Sequence, residues 1–398
     1  MTEPLFEDFG PYRKALAAAA AVDVPRGFTV ETAPRGAWPT LFGSPGKTSR
    51  SAEPLVSDQY RVVWQAPLGE AARPQSVLAG GGFLIVNGEK ARGVFGLDGQ
   101  AGGWMKRGGG AGLLDGDRRT LLAEADEGGL CTFTLPDGTR DAFVMLGRPD
   151  LTFSREALQG PGVIAMLSVK RSPLGEPPSA MAETFRVNDW RAKSELEIFE
   201  GFTPLSGIVR VKDGSAIFAA APSGPVLATP DGIRWCDWLL RPLADREWET
   251  QAQAISVGDD ACARVTCTDG FTCQLRIAPP GEMPIREIDL PWPGDANWTP
   301  PLVAPDGGTI LTPRGHVWSL DPDLQLRWSA RRDEDEPMGT LSSNGLLLLA
   351  GAELCAFTVE GRRHVLWTPP ARLTTPPILA GGHVYVASAD SLFALEPA

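Results

Sequence analysis

The chain has 398 residues, of which 43% are hydrophobic and 22% are charged, and these proportions are ordinary for a globular protein. Its formal net charge of −12 at pH 7 predicts repulsion from nucleic-acid phosphate and from anionic lipid surfaces. We therefore expect neither nucleic-acid binding nor membrane association. Gly (45 residues) and Pro (36 residues) are scattered along the chain, as frequent turns between short strands would require.

The N-terminal stretch, residues 1–36, differs in pattern from the remainder of the chain. Residues 1–10 are acidic and lack the basic and apolar regions of a secretion signal. The apolar run at residues 16–22 is too short to cross a membrane. Residues 11–22 are rich in Ala and predict a short helix that ends before Pro25, or else a mobile tail. We expect an N-terminal extension in a protein of the bacterial cytoplasm.

From residue 37 onward, short alternating strands and Gly-containing turns recur. The clearest units lie at residues 298–328, 345–367 and 375–396, where the apolar alternation has a period of two. Trp64 and Trp104 are separated by 40 positions, Trp328 and Trp367 by 39, and the wider intervals leave room for two repeats each. This spacing predicts eight outer strands, near positions 64, 104, 145, 190, 235, 292, 328 and 367.

The two ends of the repeat array complete each other. Residues 60–68 carry a Trp but have no three strands before them, whereas the last repeat has three strands and no Trp-bearing fourth. We therefore expect residues 60–68 to pair with the strands that end near Leu395, because this closure would remove unpaired sheet edges. The predicted fold is all-β: a single eight-bladed β-propeller of four-stranded antiparallel blades over residues 37–398, with seven blades as the alternative.

These motifs resemble the pyrroloquinoline-quinone-like (PQQ-like) propeller repeat. Residues 375–395 are similar to the strands of that repeat, residues 96–104 to its tryptophan-docking motif, and residues 38–49 to the segment that often precedes the first blade. The resemblance is strong at both ends and weak between residues 110 and 290. It implies that each outer Trp covers the neighbouring blade, so Trp328→Ala and Trp367→Ala should each cost roughly 3–5 kcal/mol.

The family name raises the question of a quinone cofactor. Family dehydrogenases hold the quinone and a calcium ion at the propeller axis, commonly beside a disulfide between adjacent Cys residues. This sequence has no adjacent Cys pair. We therefore expect a non-enzymatic family member with no cofactor, no metal and no catalytic residues.

Two Gly-containing segments have only a superficial likeness to nucleotide-binding loops. Gly46-Lys47-Thr48 lacks the Gly that a phosphate loop needs five positions earlier, where Leu41 stands. Residues 108–112, Gly-Gly-Gly-Ala-Gly, are not followed by a helix and are typical of a connector between blades. We expect no nucleotide site at either segment.

Potential metal ligands and nucleophiles are sparse, and we expect structural roles for all of them. Asp269 and Gly270 predict a hairpin turn, so Cys267 and Cys273 should lie on paired strands as buried thiols, with no His nearby to complete a zinc site. The acidic residues 333–336 do not have the spacing of a calcium loop and fit a solvated connector. The six Cys lack the spacing of a secreted disulfide scaffold, so they should be reduced; they are Cys131, Cys236, Cys262, Cys267, Cys273 and Cys355. The three His are His316, His364 and His383.

The leading functional hypothesis is a non-catalytic scaffold, monomeric by itself, that binds a protein or peptide through loops or side grooves. The alternative is an enzyme or enzyme accessory with a small ligand or metal at the axis. The two hypotheses predict different centres. An enzyme would need clustered carboxylates or His at the axis. A partner-binding scaffold tolerates a plugged channel and needs an exposed apolar patch at the rim of the propeller.

Overall fold

In the computed structural model, every element but one is a β-strand. It describes residues 6–8, 24–26, 28–106, 112–115, 120–124, 130–144, 152–171, 179–187, 202–204, 209–211, 216–230, 232–248, 250–293, 299–332 and 339–398. These residues form 36 strands and one 3-10 helix, Gly69–Ala71. Within these ranges there is no helix with the length and apolarity needed to span a membrane. The predicted N-terminal helix at residues 11–22 lies outside the described residues.

The strands are numbered in chain order. The N-terminal region contributes β1 (Phe6–Asp8), β2 (Thr32–Ala33), β3 (Arg50–Ser51) and β4 (Tyr60–Pro67). Blade 1 contains β5 (Ser76–Gly80), β6 (Phe83–Asn87), β7 (Ala91–Gly96) and β8 (Ala101–Lys106). Blade 2 contains β9 (Leu113–Asp115), β10 (Thr120–Glu124), β11 (Leu130–Thr134) and β12 (Thr139–Val144). The first large sheet contains β13 (Thr152–Gln159), β14 (Val163–Arg171), β15 (Ser179–Val187), β16 (Phe202–Pro204) and β17 (Val209–Val211).

The second half of the chain continues in the same way. Blade 3 contains β18 (Ile217–Ala221), β19 (Gly224–Thr229), β20 (Gly232–Cys236) and β21 (Pro242–Glu247). Blade 4 contains β22 (Gln251–Val257), β23 (Ala263–Thr268), β24 (Thr272–Ala278) and β25 (Arg286–Pro293). Blade 5 contains β26 (Leu302–Val303), β27 (Thr309–Leu311), β28 (His316–Leu320) and β29 (Leu326–Arg331). The second large sheet contains β30 (Thr340–Leu341), β31 (Leu347–Ala350), β32 (Leu354–Phe357) and β33 (Arg363–Trp367). Blade 6 contains β34 (Ile378–Ala380), β35 (His383–Ala387) and β36 (Ser391–Pro397), together with β4.

The chain forms a β-propeller with six regular blades, not the predicted eight or the alternative seven. Each of the six has four antiparallel strands in simple order. The two remaining sheets have six strands each, because segments from elsewhere in the chain join them. Strand β1 pairs with β17 in the first large sheet, and β2 and β3 add in parallel to β30 in the second. The repeat spacing in the sequence counts sheets, and it does not reveal which sheets gain extra strands.

Seven apolar cores join neighbouring sheets along the order first large sheet, blades 3, 4 and 5, second large sheet, blades 6, 1 and 2. Among the described residues, β9 and β13 approach each other, but no apolar core joins blade 2 to the first large sheet. The predicted closed ring is therefore wrong, and the six regular blades form two groups of three on either side of the large sheets.

Strand β4 pairs with β36, as the sequence predicted for residues 60–68. The antiparallel register places Ala394 opposite Trp64 and Leu395 opposite Val62. The ladder extends to the chain end, where the Ala398 N–H donates to the Gln59 carbonyl at 3.0 Å. Blade 6 thus combines three C-terminal strands with one N-terminal strand.

A β-bulge recurs where the third and fourth strands pair in all six blades and in the second large sheet. A bulge adds a residue on one strand and redirects the side chains beside it. In three sheets the extra residue immediately precedes a Trp, and these residues are Val63, Arg327 and Leu366. The bulge therefore aims the Trp of the fourth strand toward the next sheet.

The tryptophans that follow these bulges dock on the next sheet along the ring. The Trp64 Nε1–H donates to the Leu97 carbonyl at 2.7 Å, and the Trp328 Nε1–H donates to the Val359 carbonyl at 2.7 Å. Trp367 lies 5.1 Å from the Phe393 ring, centroid to centroid. Turn glycines make room for two of the rings, because a Cβ at Gly99 or at Gly361 would lie 2.7 Å from Trp64 or Trp328.

The predicted outer-strand positions hold with one exception. Positions 64, 104, 292, 328 and 367 lie on fourth strands, and the strand predicted near position 145 is the fourth strand β12, which ends at Val144. Trp235 lies on the third strand of blade 3, opposite Ala244, so its assignment to an outer strand is wrong. Ala244 follows the bulge of that blade, and Trp235 instead reaches the next blade from across the ladder, with its Nε1–H donating to the Ala261 carbonyl at 3.0 Å. Position 190 lies outside the described residues.

Candidate functional site

Residues 28–53, here called the axial segment, run along the first strands of the sheets. First strands line the centre of a propeller, so this segment occupies the place where a central channel would lie. Its partners come from six sheets, and most of its links are backbone hydrogen bonds. They are Trp38 with Ala79 (2.7 and 2.9 Å), Pro39 with Leu114 (2.9 Å), Pro45 with Ala220 (2.9 Å), Gly46 with Val257 (2.7 Å), Ser49 with Leu341 (2.8 Å) and the Ser51 hydroxyl with Leu379 (3.3 Å).

The apolar part of the axial segment centres on Trp38, which is fully buried in the core shared by blades 6 and 1. The chain turns tightly beneath its ring at Gly43, where φ is +74°. A Cβ at Gly43 would lie 2.7 Å from the indole, so only glycine fits this turn. Trp38 therefore anchors the segment by burial of its ring.

Glu53 fixes the point where the axial segment ends. Its buried carboxylate accepts hydrogen bonds from the backbone N–H groups of Gly36 (2.6 Å), Gly381 (2.7 Å) and Gly382 (2.7 Å). One carboxylate thus holds two distant parts of the axial segment against the turn between β34 and β35. Burial raises the pKa of the nearby Tyr385 hydroxyl to about 12, and the negative charge of Glu53 adds to the effect.

A second ionic cluster fixes the beginning of the segment. The Asp259 carboxylate, in the turn after β22, accepts hydrogen bonds from the N–H groups of Val30 at 2.8 Å and Glu31 at 3.2 Å. The Glu31 carboxylate in turn pairs with Arg50. These contacts engage the Glu31 and Arg50 side chains with the chain itself.

The Gly46-Lys47-Thr48 motif lies within the axial segment. The carbonyl oxygens of Val30 and Val257 lie against Gly46, where a Cβ would approach them to 2.6 and 2.1 Å. The buried Lys47 ammonium lies over two aromatic rings, 5.5 Å from the centroid of Phe42 and 5.3 Å from that of Phe218. Chain atoms fill the space that a phosphate would need, so the motif has a packing role.

The remaining sequence candidates are not brought together. His316, His364 and His383 lie in blade 5, the second large sheet and blade 6, respectively. Residues 108–111 and 333–336 lie outside the described residues. In the part of the chain that is described, no group of three or more His, Cys, Asp or Glu side chains has the arrangement of a metal site.

Cys267 and Cys273 lie on the paired strands β23 and β24, as predicted from the turn at Asp269 and Gly270. Both thiols are buried. Burial raises the pKa of Cys267 to about 11, and burial together with the charge of Asp260 raises that of Cys262 to about 11. Protonated thiols are poor metal ligands and poor nucleophiles.

Two cavities flank the second large sheet at the end where its first and third turns lie. The first has a volume of about 280 Å³ and lies between blade 5 and the second large sheet. Its apolar wall is built from Trp328, Phe357 and Val359, and the Trp328 and Phe357 rings stack at 5.7 Å with an interplanar angle of 7°. The second cavity has a volume of about 480 Å³ and is lined by Leu55, Val56, Asp58, Leu346, His364 and Leu366.

The two cavities meet at Thr358, which lines both. Two apolar side chains at their rims face solvent: Val56 is 67% exposed and Val359 is 49% exposed. The Asn344 side chain accepts a hydrogen bond from the Leu55 N–H and donates one to the Leu55 carbonyl, at 3.0 and 2.9 Å. This pair connects the first cavity to the stretch of chain that leaves the axis.

Sequence reasoning identified residues 38–49 as a segment before the first blade but did not place it at the axis. A signal was present: the stretch is rich in Gly, Ser and Pro, whose small side chains and turns suit a narrow channel. The cavities had no such signal, because their walls combine residues from turns that are far apart in the sequence.

Comparison with solved structures supports the propeller fold. A computationally designed protein, Ika8, is 12% identical with a TM-score of 0.56, covering 86% of this chain and 99% of that one. The C-terminal WD40 domain of Sif2 is 11% identical with a TM-score of 0.51, covering 87% and 98%. A quinohemoprotein alcohol dehydrogenase from Comamonas testosteroni covers 97% and 84% at 10% identity, and its TM-score of 0.47 is too low to bear on catalysis. No protein-family model and no curated protein sequence matches the chain.

Proposed function

We propose that this propeller is a non-catalytic scaffold that binds a protein or peptide partner, and that it is a non-enzymatic relative of the PQQ-like repeat proteins. The observation that supports this proposal is the axial segment. In ligand-binding propellers the channel provides a concave site, whereas in this chain residues 28–53 lie along the axis-facing strands of six sheets. Binding then falls to the outer surface and the turns.

The chemistry of the axis favours the scaffold over the enzyme hypothesis. The charged groups that approach the axis, Glu53, Glu31 and Arg50, are engaged by the chain itself. A catalytic carboxylate needs access to a substrate, whereas the Glu53 carboxylate accepts three backbone N–H groups and the Glu31 carboxylate pairs with Arg50. We therefore propose the scaffold function for a cytoplasmic protein with the propeller at residues 37–398 and an extension at residues 1–36.

Affinity capture tests the proposal directly. The full chain, tagged and produced at its natural level in its source organism, is crosslinked in intact cells, purified and analysed by mass spectrometry. We expect a partner protein in near-stoichiometric amount. Recovery of uncrosslinked monomer alone would contradict the scaffold function, and a small molecule that co-purifies in stoichiometric amount would favour the enzyme hypothesis instead.

A further inference from the structure

We propose that the two cavities beside the second large sheet form one groove, and that this groove binds an extended, basic peptide segment of a partner protein with one apolar side chain in each cavity. This inference rests on the proposed scaffold function and assigns its site. The groove is defined by Val56 and Asp58 at one end, Thr358 in the middle, and Trp328, Val359 and Asp306 at the other.

The size of the first cavity indicates what it can hold. Pockets for drug-sized ligands typically have volumes of about 300–1,000 Å³. The first cavity, at about 280 Å³, lies just below this range and suits a single large side chain. A single peptide side chain satisfies this limit in the first cavity, whereas a dinucleotide or a fused-ring cofactor does not; the second cavity, at about 480 Å³, is roomier.

The walls favour an apolar side chain. The stacked rings of Trp328 and Phe357 provide a flat apolar surface, and the indole N–H is already bonded to the Val359 carbonyl. The Asn344 amide is bonded to Leu55. Because these polar groups have partners within the chain, the cavity offers apolar contact to a ligand and little hydrogen bonding.

The arrangement of the two cavities favours an extended segment. The two cavities share Thr358, so a ligand that fills both must pass over this residue. An extended chain, which rises about 3.3 Å per residue, can place alternate side chains into the two cavities while its backbone passes over Thr358. Val56 and Val359 at the rims would lose water when the segment binds.

Charge selects a basic segment. Asp58 is exposed at the second cavity, and Asp306 lines the first, where it pairs with Arg327. Although burial acts to raise the pKa of Asp306, hydrogen bonds from Arg327 and the Gly308 N–H outweigh it and lower the pKa below its usual value. Because Arg327 also lines the first cavity and pairs with Asp306, the carboxylate that attracts a cation is Asp58 at the second cavity, on a chain whose net charge is −12. Asp58 favours Lys or Arg beside the apolar anchor in that cavity.

The test uses the full chain and a displayed library of random twelve-residue peptides. We expect enrichment of peptides with two apolar residues a few positions apart and with adjacent Lys or Arg. Their affinity, measured by calorimetry, should fall on raising the salt concentration, and the Asp58→Asn variant should show a weaker salt dependence. Enrichment of no peptide, or of acidic peptides, would overturn the proposal.

Three matched variants locate the site. Val56→Asn and Val359→Asn each remove an exposed apolar side chain from the groove without changing charge, and each should weaken peptide binding about tenfold. Phe271→Asn removes an 87% exposed side chain from the turn between β23 and β24 of blade 4 and should leave the affinity unchanged. Equal melting temperatures exclude misfolding. If a cellular partner still binds both groove variants as tightly as the wild type, the groove assignment is wrong while the scaffold function stands.

Discussion

A single indole side chain joins neighbouring sheets in this propeller by two physical effects. The ring of Trp328 stacks on Phe357, and its N–H donates to the Val359 carbonyl. Apolar burial acts whatever the exact angle of the ring, whereas the stacked geometry and the hydrogen bond fix that angle. The ring is only half-buried, so its contribution is smaller than that of a core tryptophan.

Trp328→Ala should lower the free energy of unfolding by about 2–3 kcal/mol, less than the roughly 3–5 kcal/mol expected from the sequence for a buried Trp, because the ring is half-exposed. Trp328→Phe keeps the ring contact but loses the hydrogen bond and should cost about 1 kcal/mol. Urea unfolding monitored by circular dichroism measures both. Equal stability of the Ala variant and the wild type would exclude a role in joining the sheets.

Glu53→Ala should cost about 3 kcal/mol, because the backbone N–H groups of Gly36, Gly381 and Gly382 would lose their shared acceptor in a buried place. Glu70→Ala, at an exposed position, serves as the control and should change stability by less than about 0.5 kcal/mol. Thermal unfolding of the two variants side by side gives the comparison. A loss no greater than that of the control would remove Glu53 as an anchor of the axial segment.

The thiols provide a test against metal binding. With the pKa of Cys262 and Cys267 raised to about 11, roughly 0.1% of each is thiolate at pH 8. The native protein should therefore react with iodoacetamide far more slowly than the urea-unfolded chain, as followed by mass spectrometry. Rapid labelling of the native protein at pH 8, or zinc retained through dialysis, would contradict the structural role predicted for these thiols.

At the scale of the element, the bulge in each fourth strand explains both what the tryptophan spacing predicted and where it failed. A bulge followed by Trp recurs at the same register in blades 5 and 6 and in the second large sheet, so the sequence repeat is visible there. In blade 3 the residue after the bulge is Ala244, and the indole comes from Trp235 across the ladder. Sequence spacing cannot tell these two arrangements apart, because the indole reaches the next blade in both.

The large sheets were beyond sequence reasoning for a different reason. Strands β2 and β3 have only two residues each, and three-residue β1 pairs with a strand some 200 positions away. Such short segments show no hydrophobic periodicity, and their pairing partners depend on which strands the folded propeller brings close to them. The same holds for the candidate groove, whose walls at Val56, Trp328 and Val359 come from separate turns.

Deleting Val63 should remove the bulge of β4 and shift its register by one residue. Either Trp64 then points away from Leu97, or the residues of β4 before it point to the opposite face of the sheet. In both cases the free energy of unfolding should fall by at least about 3 kcal/mol. Val63→Ala keeps the bulge, and since Val63 is 46% exposed its effect should stay within about 0.5 kcal/mol. Urea unfolding distinguishes the two, and equal stability would show that the bulge does not position the indole.

At the scale of the whole molecule, the axial segment links six sheets, whereas each apolar core joins only two neighbouring sheets. Its partners at Ala79, Val257 and Leu341 lie in blades 1 and 4 and in the second large sheet. The axial segment stabilises the propeller as a unit, because a sheet that detaches from its neighbours also loses its hydrogen bonds to the segment. Removing the segment should therefore affect the entire propeller and not one blade.

A chain that begins at residue 57 keeps β4 but lacks the axial segment. We expect it to retain β-structure and to melt at least about 10 °C below the full chain, because the hydrogen bonds to six sheets and the burial of Trp38 are lost together. A synthetic peptide of residues 28–56, added in excess, should raise the melting temperature again, and a scrambled peptide should not. No recovery with the authentic peptide would mean that these residues do not bind the axis on their own.

The path of the axial segment also sets an order of events during protein synthesis. Glu53 leaves the ribosome early, but its acceptor role depends on Gly381 and Gly382, which are translated more than three hundred residues later. At 5–20 residues per second, the segment waits on the order of 20–60 s before its last partners exist. Through that interval its apolar residues, Trp38 above all, are a natural substrate for chaperones of the nascent chain.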